Sequence, residues 1–347
     1  MSVTVTISTK SRYFKTLPLA IKSIIDQTVP PDKLIIFDDN DNPQDLRGIS
    51  PYNHLFSLLS SKGIQWKVLF GGKKGQVYNH QMALNIADTD YILRLDDDES
   101  MAPNCLENLL SAIIKDPAIG AVGGLVLTPN NECQRPSFAS NKIEDIYSGF
   151  NIQWYRWGGE HVEVDHLYST FLYKVEAGRK AGGYCNELSP VGHREETMFS
   201  YQIKRAGYKL FVTPYSLTWH LREDEGGIRT FKDPSLWQHD EIIFKRKLFE
   251  WGITPVEYKF VVLDCGVGDH ICFASILPEF IKKHAGKKII IACCYNEVFN
   301  GIEGITLASI ADAKAAFNNI DNYNIYKFCA DRNWNKPLAE AFRAMYL

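Results

Sequence analysis

Tyr91-Ile92-Leu93-Arg94-Leu95 runs without a break into Asp96-Asp97-Asp98-Glu99. The first five residues read as a buried strand, and the next four set carboxylates at its carboxyl end. Adjacent carboxylates repel one another, and burying them unpaired is costly. Something positive is therefore expected beside them. Oxygen ligands suit Mn2+ or Mg2+, and such ions bridge phosphate oxygens. Residues two apart in a strand, or in the turn after it, point the same way. Asp96 and Asp98 can thus face one ligand while Asp97 faces elsewhere. Taken alone, the run also fits a solvated acidic turn or a helix N-terminus.

The chain upstream repeats this strand-then-polar pattern. Val3 to Ile7 is β-branched and reads as a strand. Leu17, Ala20, Ile21, Ile24 and Ile25 share a helix face within Leu17 to Gln27, and Pro30-Pro31 stops that helix. Lys33 to Phe37 is a second strand, ending in Asp38-Asp39-Asn40 and a loop rich in Asn, Asp and Pro. Trp66 to Phe70 is a third, ending in Gly71-Gly72-Lys73-Lys74-Gly75, and Val77 to Ala87 reads as a helix. Alternating strands and helices predict a parallel α/β sheet, whose ligands sit at the carboxyl ends of the strands.

Downstream the pattern changes. Ala121 to Val175 is dense in aromatics and predicts short strands. Glu195 to Ala206 predicts a helix ending at Gly207, and Phe211 to Thr213 a short strand before Pro214. Residues 231–256 predict a connecting helix. A new α/β unit follows: strand Tyr258 to Leu263, a Gly-containing turn Asp264 to Asp269, helix Ile271 to His284 and strand Lys288 to Cys293. The expected division is a first α/β domain over 1–230, a linker helix over 231–256 and a partial Rossmann-like α/β domain over 257–347.

The formal net charge is −3, which gives no general affinity for nucleic acid, so an anionic substrate needs local cations or a metal. The eight cysteines form no CxxC pair and no zinc spacing, the pattern of reduced, structural thiols. No signal peptide and no spanning run are read, so a cytoplasmic protein is expected, working at most at the inner face of a membrane.

Four pieces in order resemble the large family 2 of GT-A glycosyltransferases over residues 1 to about 225. Val5-Thr6-Ile7-Ser8-Thr9-Lys10-Ser11-Arg12 resembles its first strand, and Ser23-Ile24-Ile25-Asp26-Gln27-Thr28 its Ser-Ile-Leu-Asn-Gln-Thr helix end. Ile36-Phe37-Asp38-Asp39-Asn40 resembles its nucleoside-binding strand end, and Leu95 to Glu99 its DxD region. Lys10 and Ser11 depart from the frequent Tyr and Asn. Asn79 keeps the common Asn of Val77-Tyr78-Asn79 but lacks the Arg often found before it.

The resemblance implies a GT-A fold with a mixed, mostly parallel central sheet, a nucleotide-sugar donor and Mn2+ or Mg2+. It implies that Asp39 accepts a hydrogen bond from the base, which suits uracil or thymine, with Thr9 and Arg12 beside that pocket. Lys73, Lys74 and Asn79 are candidates for the phosphate or ribose, with Asp96 and Asp97 at the donor. Asp98, Asp96 and His220, of Leu217-Thr218-Trp219-His220, are the candidate metal ligands.

Gly192-His193-Arg194-Glu195-Glu196, followed by a helix ending Lys204-Arg205-Ala206-Gly207-Tyr208, resembles the family's acceptor loop. Glu196 takes the position of the catalytic Asp and Glu195 that of the Glu before it, which leaves open which one is the base. Both also suit the positive end of a helix dipole. Trp154, Trp157, Tyr184 and Trp219 are candidates to stack on sugar rings. A base opposite the leaving group makes transfer a single, inverting displacement.

Val261-Val262-Leu263-Asp264-Cys265-Gly266-Val267-Gly268-Asp269 resembles both a heptosyltransferase-type GT-B half and methyltransferase motif I, at a length too short for either enzyme. Docking or acceptor positioning is the expectation, with a homo-oligomer or a partner transferase as what it would join. The expected function is transfer from a UDP-type donor to a glycan or lipid-linked acceptor in surface polysaccharide or glycan synthesis. A non-catalytic sugar-nucleotide-binding scaffold and a two-headed transferase are the alternatives.

Overall fold

A computed structural model describes residues 1–72, 75–127, 142–148, 160–310 and 325–347. The chain divides into two compact units, Met1–Gln134 with Trp157–Gly252, and Arg135–Arg156 with Ile253–Leu347.

The first unit is built on one sheet. Its strands are β1 (Val3–Thr9), β2 (Lys33–Asp38), β3 (Gln65–Phe70), β4 (Tyr91–Arg94), β5 (Glu99–Met101), β6 (Ile119–Leu127), β7 (Val162–Val164), β8 (Phe171–Lys174) and β9 (Lys209–His220). They lie in the order β3-β2-β1-β4-β8-β6-β9-β5, with β7 paired on β9. β3, β2, β1 and β4 are mutually parallel. β8 then runs antiparallel to both neighbours, while β6 and β9 are parallel to each other. This is the mixed sheet expected.

Parallel strands carry buried residues on both faces. β1 does so: Val3, Val5 and Ile7 are buried on one side, and Thr4, Thr6 and Thr9 are buried as well. The helices covering the sheet are α1 (Leu17–Ile25), α2 (Tyr52–Ser61), α3 (Gln76–Ile86) and α4 (Cys105–Ile113). α2 and α4 were not anticipated. Tyr52, Leu55, Phe56 and Leu59 of α2, and Cys105, Leu106, Leu109 and Leu110 of α4, are buried at helical spacing.

Strand alignment sets the site. Thr9 pairs with Asp38, and Thr6 with Arg94. The chain after β2 stays in register, since the Asp39 amide donates to the Thr9 carbonyl at 2.9 Å. The carboxyl ends of β1, β2 and β4 therefore meet at one edge.

β9 is longer than the predicted Phe211–Thr213. Pro ordinarily ends a ladder because it has no N–H to give. Here pairing with β6 shifts register between Gly123 and Leu125 and resumes at Leu217. The extra length carries His220 opposite Glu99 of β5.

α5 (Ile143–Tyr147) belongs to the second unit. Its Asp145 is buried and accepts from Lys288 Nζ at 2.7 Å and from the Tyr258 hydroxyl. α6 (Val175–Lys180), α7 (Glu195–Arg205) and α8 (Pro234–Glu250) return to the first unit. The second unit continues with β10 (Tyr258–Leu263), α9 (Val267–Lys283), β11 (Lys288–Cys293), β12 (Ile305–Ala308), α10 (Ile325–Asp331) and α11 (Leu338–Tyr346). β10, β11 and β12 form a parallel three-stranded sheet, the small α/β unit expected. α9 begins at Val267, earlier than the predicted Ile271, because Val267-Gly268-Asp269 make its first turn after an extended Gly266. Among the described residues, no helix is long and apolar enough to cross a membrane. All seven described cysteines are free thiols.

Candidate active site

A cavity of about 290 Å³ opens at the carboxyl edge of the first unit's sheet. Its wall includes Thr9 and Arg12 after β1, Asp39 after β2, Asp96, Asp97 and Asp98 after β4, Glu195 and Glu196 of α7, and His220 of β9.

Asp96, Asp98 and His220 each offer a ligand atom, and those atoms lie within 4.8 Å of one another. Asp97 turns away from this set, as alternation along the backbone requires. It accepts from Arg12 Nη1 at 2.5 Å and from the Thr9 hydroxyl at 2.7 Å. Arg12 also reaches Asp98 at 3.1 Å, so it neutralises the acidic run from behind. Burial pushes the Asp97 carboxyl up to about 6, against the opposing pull of Arg12. Removal from water also raises Asp96, opposed by Arg94 and reinforced by Asp98. Glu99 is fully buried beneath the run and accepts from the Ser169 and Thr170 hydroxyls. Burial, then the neighbouring Asp96, holds its carboxyl well above the usual range.

Asp39 is buried, and one carboxylate oxygen accepts from the Gly75 amide at 3.0 Å. Its other oxygen, Oδ1, is buried with no hydrogen-bond partner among the described residues. An unmatched buried acceptor is costly, and it is the kind of atom that a ligand N–H satisfies. Asn79 is wholly buried behind this wall, where its amide donates to the Ser8 hydroxyl at 2.8 Å. Lys73 and Lys74 lie outside the described residues, as do Trp154 and Trp157.

The two glutamates of α7 are placed differently. Glu195 is 1% exposed and meets the guanidinium of Arg94. Burial pushes its carboxyl up to about 7, with Arg94 opposing the rise. Glu196 is part-exposed and faces the cavity. Among the described residues, no hydrogen bond or ion pair engages its carboxylate.

Sequence reading missed several residues here. Arg94 was counted as part of an apolar strand, yet a guanidinium in such a run demands a buried partner, and that was a usable signal. Arg229, 3.7 Å from Asp98, sits on the loop after β9. That loop lies over Arg12: Glu225 accepts from Arg12 Nε at 3.2 Å, and the Gly227 amide donates to the Lys10 carbonyl at 2.7 Å. Gly226 has φ +81°, and a Cβ there would meet Arg12 Cγ at 2.7 Å, so only glycine fits. Asp240 of α8 had no local signal at all. It is fully buried and accepts from the Ser189 amide at 2.6 Å, the Ser189 hydroxyl at 2.9 Å and the His193 amide at 2.8 Å.

Two aromatic candidates do not line the cavity. Tyr184 is buried core, stacked on Phe199 at 3.9 Å and on His80 at 5.5 Å. Trp219 is paired with Ser100 within the sheet.

Carboxylates and an imidazole stand beside the buried Asp39 at the strand edge of this sheet, on a fold of the GT-A type. Residues 4–161 match the model described as "Glycosyl transferase family 2". The structure of GalNAc-T7 with UDP, GalNAc and Mn2+ shares the fold, with TM-score 0.54 and 18% identity over 82% of this chain and 55% of that one. S. aureus TarS 1-349 in complex with UDP-GlcNAc gives TM-score 0.48 and 14% identity over 69% of this chain and 64% of that one. S. aureus TarS gives 0.45 and 14%, over 65% and 37%. The chain thus covers less than two thirds of each of these structures. No curated protein matches the sequence.

Proposed function

We propose that this protein is an inverting, metal-dependent transferase that moves a sugar from a nucleotide diphosphate, UDP by preference, to an acceptor hydroxyl in glycan or polysaccharide synthesis. The observation that carries the reading is the carboxylate of Glu196, which no described residue engages, in the same cavity as Asp96, Asp98, His220 and Asp39.

Asp39 Oδ1 supports uracil, whose imide N–H would satisfy it. Asp96, Asp98 and His220 offer oxygen and imidazole donors close enough to share one ion, a set that fits Mn2+. GalNAc-T7, whose fold this chain shares, has been solved with UDP and Mn2+. A divalent cation held there supplies positive charge for the departing diphosphate. Glu196 takes the proton from the acceptor hydroxyl as its oxygen bonds to the anomeric carbon. The bond from that carbon to the phosphate oxygen breaks, and the diphosphate leaves with the electron pair. Glu195, held by Arg94, stays a neighbour and not the base. Arg12 and Thr9 hold Asp97 and keep the acidic turn in shape.

In the second unit the Gly266 turn is satisfied internally. Asp269 accepts from the Tyr326 hydroxyl at 2.8 and 2.9 Å, and both His270 ring nitrogens face backbone groups. That favours docking or acceptor positioning over a second active site.

The test begins with thermal stabilisation by a panel of sugar nucleotides, with Mn2+ and with chelator. Wild type should be stabilised by one UDP-sugar only with Mn2+, and Asp98→Asn and His220→Ala should lose the effect. Glu196→Gln should keep the stabilisation and lose transfer at least about 100-fold, the scale of a general base. A full metal-dependent shift in Asp98→Asn removes the metal site, and unchanged turnover in Glu196→Gln moves the base elsewhere.

A further inference from the structure

α8 sets Trp237, Asp240, Glu241 and Phe244 at helical i, i+3, i+4 and i+7 spacing, one face of the helix. Phe244 and Asp240 are fully buried, while Trp237 is only half-buried and lines the cavity near Gly192, His193 and Glu196. Its ring lies 5.2 Å from that of His193 at 53°. This places an indole on the α8 wall of the cavity that Glu196 also lines.

The charges on that wall are already matched. Glu241 lies 3.5 Å from His193 Nε2, 3.5 Å from Arg194 Nε and 3.3 Å from Lys245 Nζ. The Arg194 guanidinium also sits over the Phe244 ring at 5.6 Å. The cations of the loop after β9, Arg222 and Arg229, instead line the cavity with the Asp98 and His220 ends. The cations at that end of the cavity thus stand among Asp96, Asp97 and Asp98, while the charges on the α8 side pair with one another. A phosphate-bearing acceptor would find its partners already committed at α8. A pyranose ring would find what it needs: an amphipathic aromatic face for its C–H side and polar groups at its rim.

We infer that Trp237, with His193 beside it, is the acceptor platform, and that the acceptor carries its reacting hydroxyl on an uncharged sugar ring. The inference rests on the transfer reading above and adds the acceptor's class to it.

The experiment compares wild type, Trp237→Ala and Trp237→Phe. Saturation-transfer NMR with p-nitrophenyl and methyl pyranosides reads acceptor binding, and the thermal shift with UDP and Mn2+ reads the donor side. Transfer to the same pyranosides and to glycerol 3-phosphate reads the choice of acceptor. Wild type should show ring-proton contacts and transfer to a pyranoside. Trp237→Ala should lose the contacts and raise the pyranoside KM at least tenfold while keeping the UDP shift. Trp237→Phe should restore most of both. Unchanged pyranoside contacts and KM in Trp237→Ala overturn the platform. Transfer to glycerol 3-phosphate with none to pyranosides overturns the acceptor class. A wild type that gives no shift with UDP and Mn2+ overturns the transfer reading and this inference with it.

Discussion

The terminal nitrogens of Arg94 lie 2.6 and 2.9 Å from the two carboxylate oxygens of Glu195, and both residues are 1% exposed. Neither charge could stand there alone. Breaking a buried pair by removing one partner typically costs about 3–5 kcal/mol, because the other charge is left uncompensated. Glu195→Ala and Arg94→Met should each lose about that much in urea unfolding. Glu196→Gln, on the adjacent residue, should lose under about 1 kcal/mol, as substitutions away from such features do. Equal losses at 195 and 196 would show that the two glutamates are not divided into a structural and a reacting one.

Gly71 tests the base pocket. A Cβ at this position would lie 2.6 Å from Asp39 Oδ1 and 3.2 Å from Asn79 Oδ1. Both of those oxygens are buried and have no hydrogen-bond partner among the described residues. Gly71→Ala should push Asp39 aside and weaken UDP binding about tenfold, or about 1.4 kcal/mol. Isothermal titration with UDP and Mn2+ measures it. An unchanged dissociation constant would mean that Asp39 does not hold the base.

The sequence made one half of this cavity's wall readable because that half is local. Thr9, Asp39 and Asp96 to Asp98 each follow a strand directly, and parallel pairing alone brings such ends together. The other half depends on long-range contacts. His220 comes opposite Glu99 only because pairing resumes beyond Pro214, after a register shift that no local pattern announces. Asp240 lies 51 residues from Ser189, and a carboxylate on a charged helix reads as a solvated face. Tyr184 shows the reverse failure. Its ring looked like a sugar platform by residue type, but its place between Phe199 and His80 is decided by packing.

Glu241 predicts a pH dependence. Burial would raise its carboxyl, but the hydrogen bond with His193 and the charges of Arg194 and Lys245 outweigh it and hold the group down to about 2. A folded-state value below the unfolded one stabilises the ionised, folded form. That contribution is complete above the unfolded value of about 4.5 and is lost as pH falls toward about 2. Glu241→Gln should therefore be less stable than wild type at pH 6, with the gap closing between pH 4.5 and 2. Guanidinium unfolding at several pH values reads it, and a gap that widens on acidification would contradict the assignment.

Asp240 governs the approach to Glu196. Its carboxylate accepts three hydrogen bonds from Ser189 and His193, the two ends of the short segment that leads into α7. Gly192 lies within that segment, and Arg194, in the left-handed region with φ 69°, follows it directly. Asp240→Ala would strand three buried donors, each worth about 1–3 kcal/mol when unsatisfied. The loop should then relax, and Glu196 with it. The expected result is a turnover loss of about 10–100-fold, since misplacement of a reacting group by about 1 Å costs up to that much. UDP affinity should hold, because Asp39, Asp98 and His220 stand on strand ends that do not touch Asp240. Asp240→Asn keeps one carbonyl acceptor but turns an NH2 toward a donor, so it should fall between the two. A parallel loss of UDP affinity and turnover would mark Asp240 as a general stabiliser of the fold, whereas a loss confined to turnover marks it as the residue that aims the base.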